Sequence, residues 1–554
     1  MKLDYPVIDT IQLKESNFDS LTSKYTKDYP VVYVANGKRS NKYRVYVGEA
    51  NDVQRRLTQH IQNKDSKPNN LGEETSFYVI GHKLFNKSLT LDIENSLMEL
   101  LLSSESVERV ENGRTNAQGE YYTSEYKNQL EILIWRNLNK KNPLLFPSLK
   151  LLKETALYKL SPFKKLSREQ FNAVENTIDF FKNEIMTNVD IAGKYILIDG
   201  GAGTGKSVLL SNLFERINSD LNDMDNKYII VNHDQQIGVY KDLAKKLGWE
   251  NKDGSDIVTK PTSWINFRKD DTNKAELADV VVIDEAHLLW TQGKQSYQGE
   301  NQLKDILKNS KMTVIIFDEK QILQSNQYWS NEEIKKLKAG ASLTIELKEQ
   351  FRITGNQDTV NWINNLVDGQ VTKIPKDEKY DLDVFDNVEK MYEKILQQNK
   401  EIGLARMIAT YDWEFKQGKK RDDGLPWAVK IGNFEMPWNY QVTKTKSIEK
   451  LPWAQDPDSI KEIGSTFSIQ GFDLNIAGVI LGKSVKYREG KLIIDPSESY
   501  SKQATMKRNS KIEVAEQNLR NELNVLLKRG VKGLYIYAVD EELREALLRA
   551  KKGN

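Results

Sequence analysis

Gly200-Gly201-Ala202-Gly203-Thr204-Gly205-Lys206-Ser207 leaves this chain few folds to choose from. The β-forming run YILID (195–199) leads straight into the octet, and the helical pattern SVLLSNLFERI follows it. The glycines let consecutive backbone N–H groups turn inward around phosphate oxygens, and the positive end of the next helix favours the same anion. Strand, loop and helix in that order are the context the G-x-x-x-x-G-K-[ST] pattern needs to bind ATP. Lys206 is expected on the β/γ-phosphates and Ser207 on Mg²⁺. The runs YIIV (228–231), VVVID (280–284), TVIIF (313–317), MIAT (407–410), AGVIL (477–481) and LYIYAV (534–539) alternate with helical stretches. Continuous β-branched runs of this kind read as parallel strands covered on both faces.

VVVID ends in Asp284-Glu285-Ala286-His287, which puts two carboxylates at the carboxyl end of a buried strand, where α/β sheets bind ligands. Asp284 is expected to hold Mg²⁺, and Glu285 to orient and deprotonate the attacking water. Composition narrows the alternatives. Zero cysteines exclude disulfides, thiolate zinc, iron–sulfur clusters and cysteine nucleophiles, and fit a reducing, cytosolic setting. The four histidines, His60, His82, His233 and His287, are too far apart for a His-x-x-x-His zinc helix. A net charge of +2 offers no global pull toward polyanions, so any nucleic-acid path must be a local groove. There is no signal-like apolar start and no run long enough to span a membrane.

From about residue 160 onward the chain resembles a superfamily 1 helicase, closest to the bacterial Schlafen-like ATPase/helicase domain. Leu166-Ser-Arg-Glu-Gln170 resembles the adenine-reading glutamine motif, which makes Gln170 the base contact, although Ser167 could equally be a plain helix cap. Phe317-Asp318-Glu319-Lys320-Gln321 resembles the motif coupling γ-phosphate to strand and is carried by Gln321, with Phe317 where the family has Gly. Glu349-Gln350-Phe351-Arg352 and Leu527-Lys528-Arg529-Gly530 resemble the motifs that supply two arginine fingers, Arg352 and Arg529. Lys528 departs from the family's small or hydroxyl residue. Gly464-Ser-Thr466-Phe-Ser468-Ile-Gln470-Gly471 resembles the motif touching both strand and nucleotide, through Thr466, Gln470 and Gly471. Between 405 and 455, Trp413, Trp427, Trp438 and Trp453 interleave with Lys416, Lys419, Lys420, Arg421, Lys430, Lys444 and Lys446. That mixture suits stacking on unpaired bases, while core packing is the commoner fate of a tryptophan.

Upstream lies a second constellation. Val31-Val32-Tyr33 is read on one strand and Tyr46-Val47-Gly48 at the end of the next, followed by a helix bearing Arg56 and His60 at i, i+4, with Asn51 able to cap it. Glu94 interrupts the apolar stripe Leu97, Met98, Leu101 of a later helix, where a carboxylate is costly unless it meets a cation. These residues resemble a GIY-YIG nuclease domain, with Val31-Val32 replacing the eponymous Gly-Ile. The resemblance implies that Tyr33 and Tyr46 position or deprotonate water, Arg56 steadies the phosphate, His60 assists proton transfer, Glu94 holds a divalent ion and Asn116 supports the site.

The expected fold is α/β, a small GIY-YIG-like α/β domain followed by two RecA-like parallel-sheet P-loop domains. The expected boundaries are an arm at 1–28, the nuclease-like domain at 29–145, a linker at 146–165, and RecA-like domains at 166–345 and 346–554. The implied activity is an ATP- and Mg²⁺-dependent nuclease–helicase on nucleic acid, DNA rather than RNA, of a kind resembling bacterial anti-phage proteins. The rival is an ATP-gated binding or remodelling switch whose N-terminal domain only docks. Oligomeric state is left open.

Overall fold

The computed structural model describes residues 3–12, 20–63, 65–113, 119–186, 192–221, 224–269, 277–294, 296–439, 453–469, 472–506 and 514–553. Strands β1 (Val7–Gln12), β2 (Val31–Arg39), β3 (Lys42–Ala50), β4 (Glu73–Gly81) and β5 (Val107–Val110) form a sheet in the order β1-β4-β2-β3-β5. Its pairs are antiparallel except β3–β5. Parallel neighbours need a long crossover, and this one contains helices α1 (Val53–Gln62) and α2 (Lys87–Leu102). Antiparallel register sets Tyr33 opposite Gly48 and Ala35 opposite Tyr46. Side chains two apart share a face, so both tyrosines project from the same side of the sheet. β1, on the edge against β4, lies in a stretch the sequence showed only as an arm. Its six residues carry little alternation of their own, and pairing supplies their order.

Asp52, not Asn51, caps α1, its Oδ1 accepting from Arg55 N at 3.0 Å. The stretch 146–165 carries two short helices, Leu149–Glu154 and Ala156–Lys159. Then follow α3 (Arg168–Met186), β6 (Lys194–Gly200), α4 (Lys206–Asp220), β7 (Lys227–Val231), α5 (Asp234–Leu247), β8 (Val258–Thr259), β9 (Ala278–Asp284), β10 (Ser310–Phe317) and β11 (Leu343–Leu347). Their sheet runs β11-β6-β10-β9-β7-β8. β7 pairs in parallel with both of its neighbours, and it is buried along its whole length.

The third sheet is built from β12 (Asp381–Val384), β13 (Ala405–Ala409), β16 (Ile463–Gly464), β17 (Leu474–Leu481) and β20 (Gly530–Ala538), in the order β12-β20-β17-β13-β16. Every pair in it is parallel. Two hairpins, β14 (Ala428–Ile431) with β15 (Phe434–Pro437) and β18 (Val485–Arg488) with β19 (Lys491–Ile494), decorate it, and helix α6 (Ala515–Leu527) leads into β20. The architecture is the expected one: a mixed N-terminal sheet followed by two parallel sheets of the RecA-like kind.

The chain divides into two compact units, Met1–Ile196 with Lys206–Asp284 and Asn309–Val314, and Leu197–Gly205 with Glu285–Lys308 and Ile315–Asn554. Among the described residues no helix is long and apolar enough to cross a membrane.

Candidate active sites

On the N-terminal sheet the tyrosine rings of residues 33 and 46 lie 6.3 Å apart, each 5.9 Å from the His60 ring. The Tyr33 hydroxyl and His60 Nε2 are 2.9 Å apart. Arg56, one turn before His60 on α1, faces both phenols. A cleft of about 670 Å³ opens over this group, lined by Tyr46, Arg56, His60 and Lys67 among others. Burial pushes both phenols above their usual range, Tyr33 further, and Tyr46 and Tyr33 stay protonated at neutral pH. Burial, with Arg56 second, drives His60 down to about 4, so the imidazole is neutral.

Glu94 sits where its stripe placed it, buried beside Leu97, Met98 and Leu101. Burial and then Glu49 raise its carboxyl to about 8, against the pull of Lys87 and Arg56. Its Oε2 is buried without a hydrogen-bond partner, as is Oε2 of Glu49, whose other oxygen holds Lys87. A buried carboxylate oxygen left unmatched is costly, and a divalent cation answers that cost, so the residues fit the expected ion. Among the described residues no group of three or more acidic or histidine side chains clusters for a metal, which leaves Glu94 as the candidate ligand with Glu49 at its side. Glu49 carried no sequence signal. Neither did Asn112, whose side chain accepts from Val47 N at 2.9 Å and donates to Val47 O at 2.7 Å, pinning β3 beside Tyr46. Asn116 lies outside the described residues.

Gly48 shows why its position tolerates no side chain. A Cβ there would fall 2.4 Å from Cζ and the hydroxyl of Tyr33. Gly48→Ala is therefore expected to tilt the phenol off His60 at a cost of about 1–3 kcal/mol, with strand cleavage falling more than stability; thermal unfolding and a cleavage time course together check this.

In the first unit, Ser207 Oγ lies 3.4 Å from Asp284 Oδ2, and the Tyr240 hydroxyl donates to the same oxygen at 2.8 Å. A serine hydroxyl converging on a buried aspartate suits an oxygen-ligated divalent ion, so these two residues fit Mg²⁺. Lys206 is buried at the start of α4. Tyr240, in mid-helix on α5, matched no motif. Gln170 is buried, and its Oε1 accepts from Ser167 N at 3.0 Å while Ser167 Oγ accepts from Gln170 N at 3.2 Å. That reciprocal capping box occupies the amide oxygen expected on adenine.

In the second unit, Gly203 and Gly205 of the phosphate loop adopt φ of +88° and +75°, and Thr204 Oγ1 donates to Gly201 O at 3.0 Å. Gly203 O accepts from Phe351 N at 2.8 Å, and a Cβ at Gly203 would meet Arg352 Cβ at 2.8 Å. The Gly200–Gly205 loop and the Arg352 motif are thus in direct contact. Arg352 Nε is 2.7 Å from Asp473 Oδ1, and Arg529 Nη1 is 4.0 Å from the same atom. Asp473, two residues past Gly471, joins the two expected fingers and was missed by the motif reading. Burial, then Arg352, lowers Arg529 to about 10, leaving it charged.

Glu285 holds a left-handed backbone, φ 50° and ψ 48°, with Oε2 3.2 Å from His287 Nε2. Strain of this kind collects at functional positions. Gln321 Nε2 donates to Asp318 Oδ2 at 2.6 Å, and Asn521 and Asn524 of α6 donate to backbone carbonyls of residues 319, 320 and 322. Helix α6 therefore clasps the Gln321 loop and runs on into Arg529. Gln470 and Gly471 lie outside the described residues. Trp438 and Trp453 are buried in two separate cores, 0% and 1% exposed, whereas Trp413 and Trp427 are partly buried against the one that holds Trp438.

Thr466 Oγ1 donates to Glu522 Oε1 at 3.3 Å, and Tyr411 N donates to the same oxygen at 3.2 Å. Burial and then Asp412 push the Glu522 carboxyl from 4.5 to about 8. The folded chain keeps a proton that the unfolded chain has released, so this contribution is complete below pH 4.5 and lost as pH rises through about 8. Glu522→Gln, which keeps the accepting oxygen, is expected to match the parent near pH 4.5. At pH above about 8 it should exceed the parent by roughly 2–4 kcal/mol, and denaturant unfolding at both pH values reads the difference.

Residues 193–540 match the family described as Schlafen group 3, DNA/RNA helicase domain, and residues 29–106 match the GIY-YIG catalytic domain. An uncharacterized protein of Saccharomyces cerevisiae is 33% identical over 434 residues, 70% of this chain and 91% of that protein. The Pif1 helicase from Candida albicans is 13% identical, covering 69% of this chain and 96% of its own, at a TM-score of 0.29. The DUF1998 helicase MrfA bound to DNA is 11% identical, covering 68% and 49%, at a TM-score of 0.31. Likenesses that slight carry no argument. The first match spans more than half of the 554 residues, and the chain therefore belongs to the Schlafen group 3 DNA/RNA helicase family, with a GIY-YIG catalytic domain on its N-terminal side.

Proposed function

We propose that this chain is an ATP-dependent nuclease–helicase acting on DNA, in which ATP hydrolysis drives translocation or unwinding and the N-terminal domain hydrolyses phosphodiester bonds with Mg²⁺. The observation that carries this reading is the convergence of Tyr33, Tyr46, Arg56 and His60 beside one cleft, with Glu94 beside Glu49 in the same domain. Arg56 lines the cleft and carries the charge that steadies a scissile phosphate. The phenols are protonated at rest and orient water; as the water attacks, its proton passes to the Tyr33 oxygen while Tyr33 hands its own to neutral His60 across their hydrogen bond. Glu94 would hold the divalent ion, which when bound supplies charge for the leaving oxygen.

At the nucleotide, Lys206 and the loop Gly200, Gly201, Ala202, Gly203, Thr204 and Gly205 take the phosphates. Ser207 and Asp284 take Mg²⁺, Glu285 orients water, and Arg352 and Arg529 answer the developing γ-phosphate charge. Gln321, Gln470 and Gly471 complete the proposed nucleotide contacts, together with Gln170, whose amide oxygen must leave its helix cap to reach the base.

The test is cleavage of supercoiled plasmid and of labelled single-stranded DNA and RNA with Mg²⁺, with and without ATP. Wild type should cut DNA in preference to RNA and Glu94→Ala should not, while Lys206→Ala abolishes ATP turnover. Intact nucleic acid in every lane, with ATP still hydrolysed by wild type, would replace this reading with an ATP-gated switch carrying a docking domain.

A further inference from the structure

Within the first unit, helix α5 touches Asp284 of the candidate nucleotide site at one point and the C-terminal end of the helix that bears Glu94 at another. Tyr240 on its second turn donates to Asp284 Oδ2 at 2.8 Å, the oxygen that Ser207 Oγ approaches. Six residues later Lys246 is buried, and its ammonium donates to the carbonyls of Leu102 and Ser104 at 3.0 and 2.9 Å. Leu102 is the last residue of α2, the helix that bears Glu94.

Helix C-terminal carbonyls lack partners of their own and carry partial negative charge. The last turn of α2 contains no basic residue, so Lys246 supplies that charge from another helix. α5 is capped by Gly248, φ +67°, against which the guanidinium of Arg109 on β5 is laid. Just beyond, Trp249 donates to Glu215 at 2.5 Å and packs its ring 4.9 Å from Phe214, both on α4, the helix that starts at Lys206-Ser207. Tyr240 and Lys246 stand about 9 Å apart along the rod and on different sides of it.

We propose that α5 transmits nucleotide state to the nuclease site: a change of ligand on Asp284 displaces Tyr240 and, through Lys246, shifts the C-terminal end of the Glu94 helix. Lys246 is then a positioning residue for the nuclease centre, acting through α2. A cation drawn to Asp284 withdraws electron density from the oxygen that accepts the Tyr240 hydroxyl, so nucleotide state changes the strength of that bond and gives the two states of α5 different energies. Coupling of this kind is reciprocal, so occupancy of the cleft changes nucleotide affinity by the same factor. This inference rests on the nuclease reading above and concerns how that site is regulated.

The experiment measures amide hydrogen exchange over residues 98–107 in the full chain, without nucleotide and with Mg²⁺ plus a non-hydrolysable ATP analogue, alongside plasmid cleavage. In wild type the nucleotide should change exchange there by about threefold or more. Lys246→Met should erase that change and Lys246→Arg restore it, with ATP turnover in both within about twofold of wild type. Should Lys246→Met fail to fold, Tyr240→Phe, which keeps the ring and deletes the hydroxyl facing Asp284, must erase the same change. No nucleotide-dependent change in wild type, or a change that survives these variants, overturns the proposal. Cleavage without the exchange response counts against the linkage alone. An exchange response without cleavage counts against the nuclease reading and leaves the linkage standing.

Discussion

Glu94→Gln is expected to lower strand cleavage about 10²–10³-fold, the usual loss when a preorganised electrostatic group is removed, while ATP turnover stays within about twofold. The expectation follows from where the carboxylate stands. Glu94 is 8% exposed on an apolar helix face, beside a second carboxylate, with one oxygen lacking any hydrogen-bond partner. A carboxylate kept there works against folding, because burial and Glu49 both oppose its charge. Glutamine preserves the shape and the packing against Leu97 and Met98 but cannot supply the negative charge a divalent ion requires. The variant should therefore be at least as stable as the parent while losing Mg²⁺-dependent cleavage. Two measurements read it, a plasmid-nicking time course over a Mg²⁺ series and thermal unfolding with and without Mg²⁺. Full cleavage by Glu94→Gln would remove Glu94 from the chemistry and leave Glu49 as the carboxylate to test.

Arg352→Ala and Arg529→Ala should each reduce ATP turnover by about 10³–10⁵-fold, the range arginine fingers contribute to phosphoryl transfer, with nucleotide binding largely retained. Arg352 is set against Gly203 of the phosphate loop so closely that no Cβ fits between them. Asp473 reaches it at 2.7 Å and faces Arg529 at 4.0 Å, offsetting the repulsion of two cations held side by side. Arg529 is 2% exposed, and its Nη1 donates to Phe472 O at 3.3 Å, so its direction is fixed by the fold. Phosphate release under saturating ATP, together with binding of a fluorescent ATP analogue, separates catalysis from affinity. Ordinary turnover in both variants would mean that neither arginine meets the γ-phosphate, and weakened binding with normal maximal rate would recast them as ground-state contacts.

Much of this protein is legible in its sequence alone. The octet Gly200–Ser207 with its flanking strand and helix, the strand ending at Asp284, and the Tyr33, Tyr46, Arg56, His60 and Glu94 series all depend on short spacings, and the structure seats them on the expected elements. Periodicity of two or 3.6 residues and the steric freedom of glycine act over a few bonds, so they survive in the one-dimensional string.

What the string could not show is which distant side chains meet. Asn51 and Asp52 are both competent caps, and only the backbone angle at the start of α1 selects Asp52. Ser167 and Gln170 read as a cap or as an adenine contact, and the folded helix spends them on each other. Glu49 beside Glu94, Asp473 beside two arginines, and Lys246 on the end of α2 join residues tens to hundreds of positions apart. The sequence by itself settled the elements that carry the motifs and their order, because backbone sterics and hydrophobic period are properties of neighbours. Only the tertiary structure decided the charge partners, the buried orphan oxygens and the neutral His60, because burial and pairing belong to the space that packing encloses.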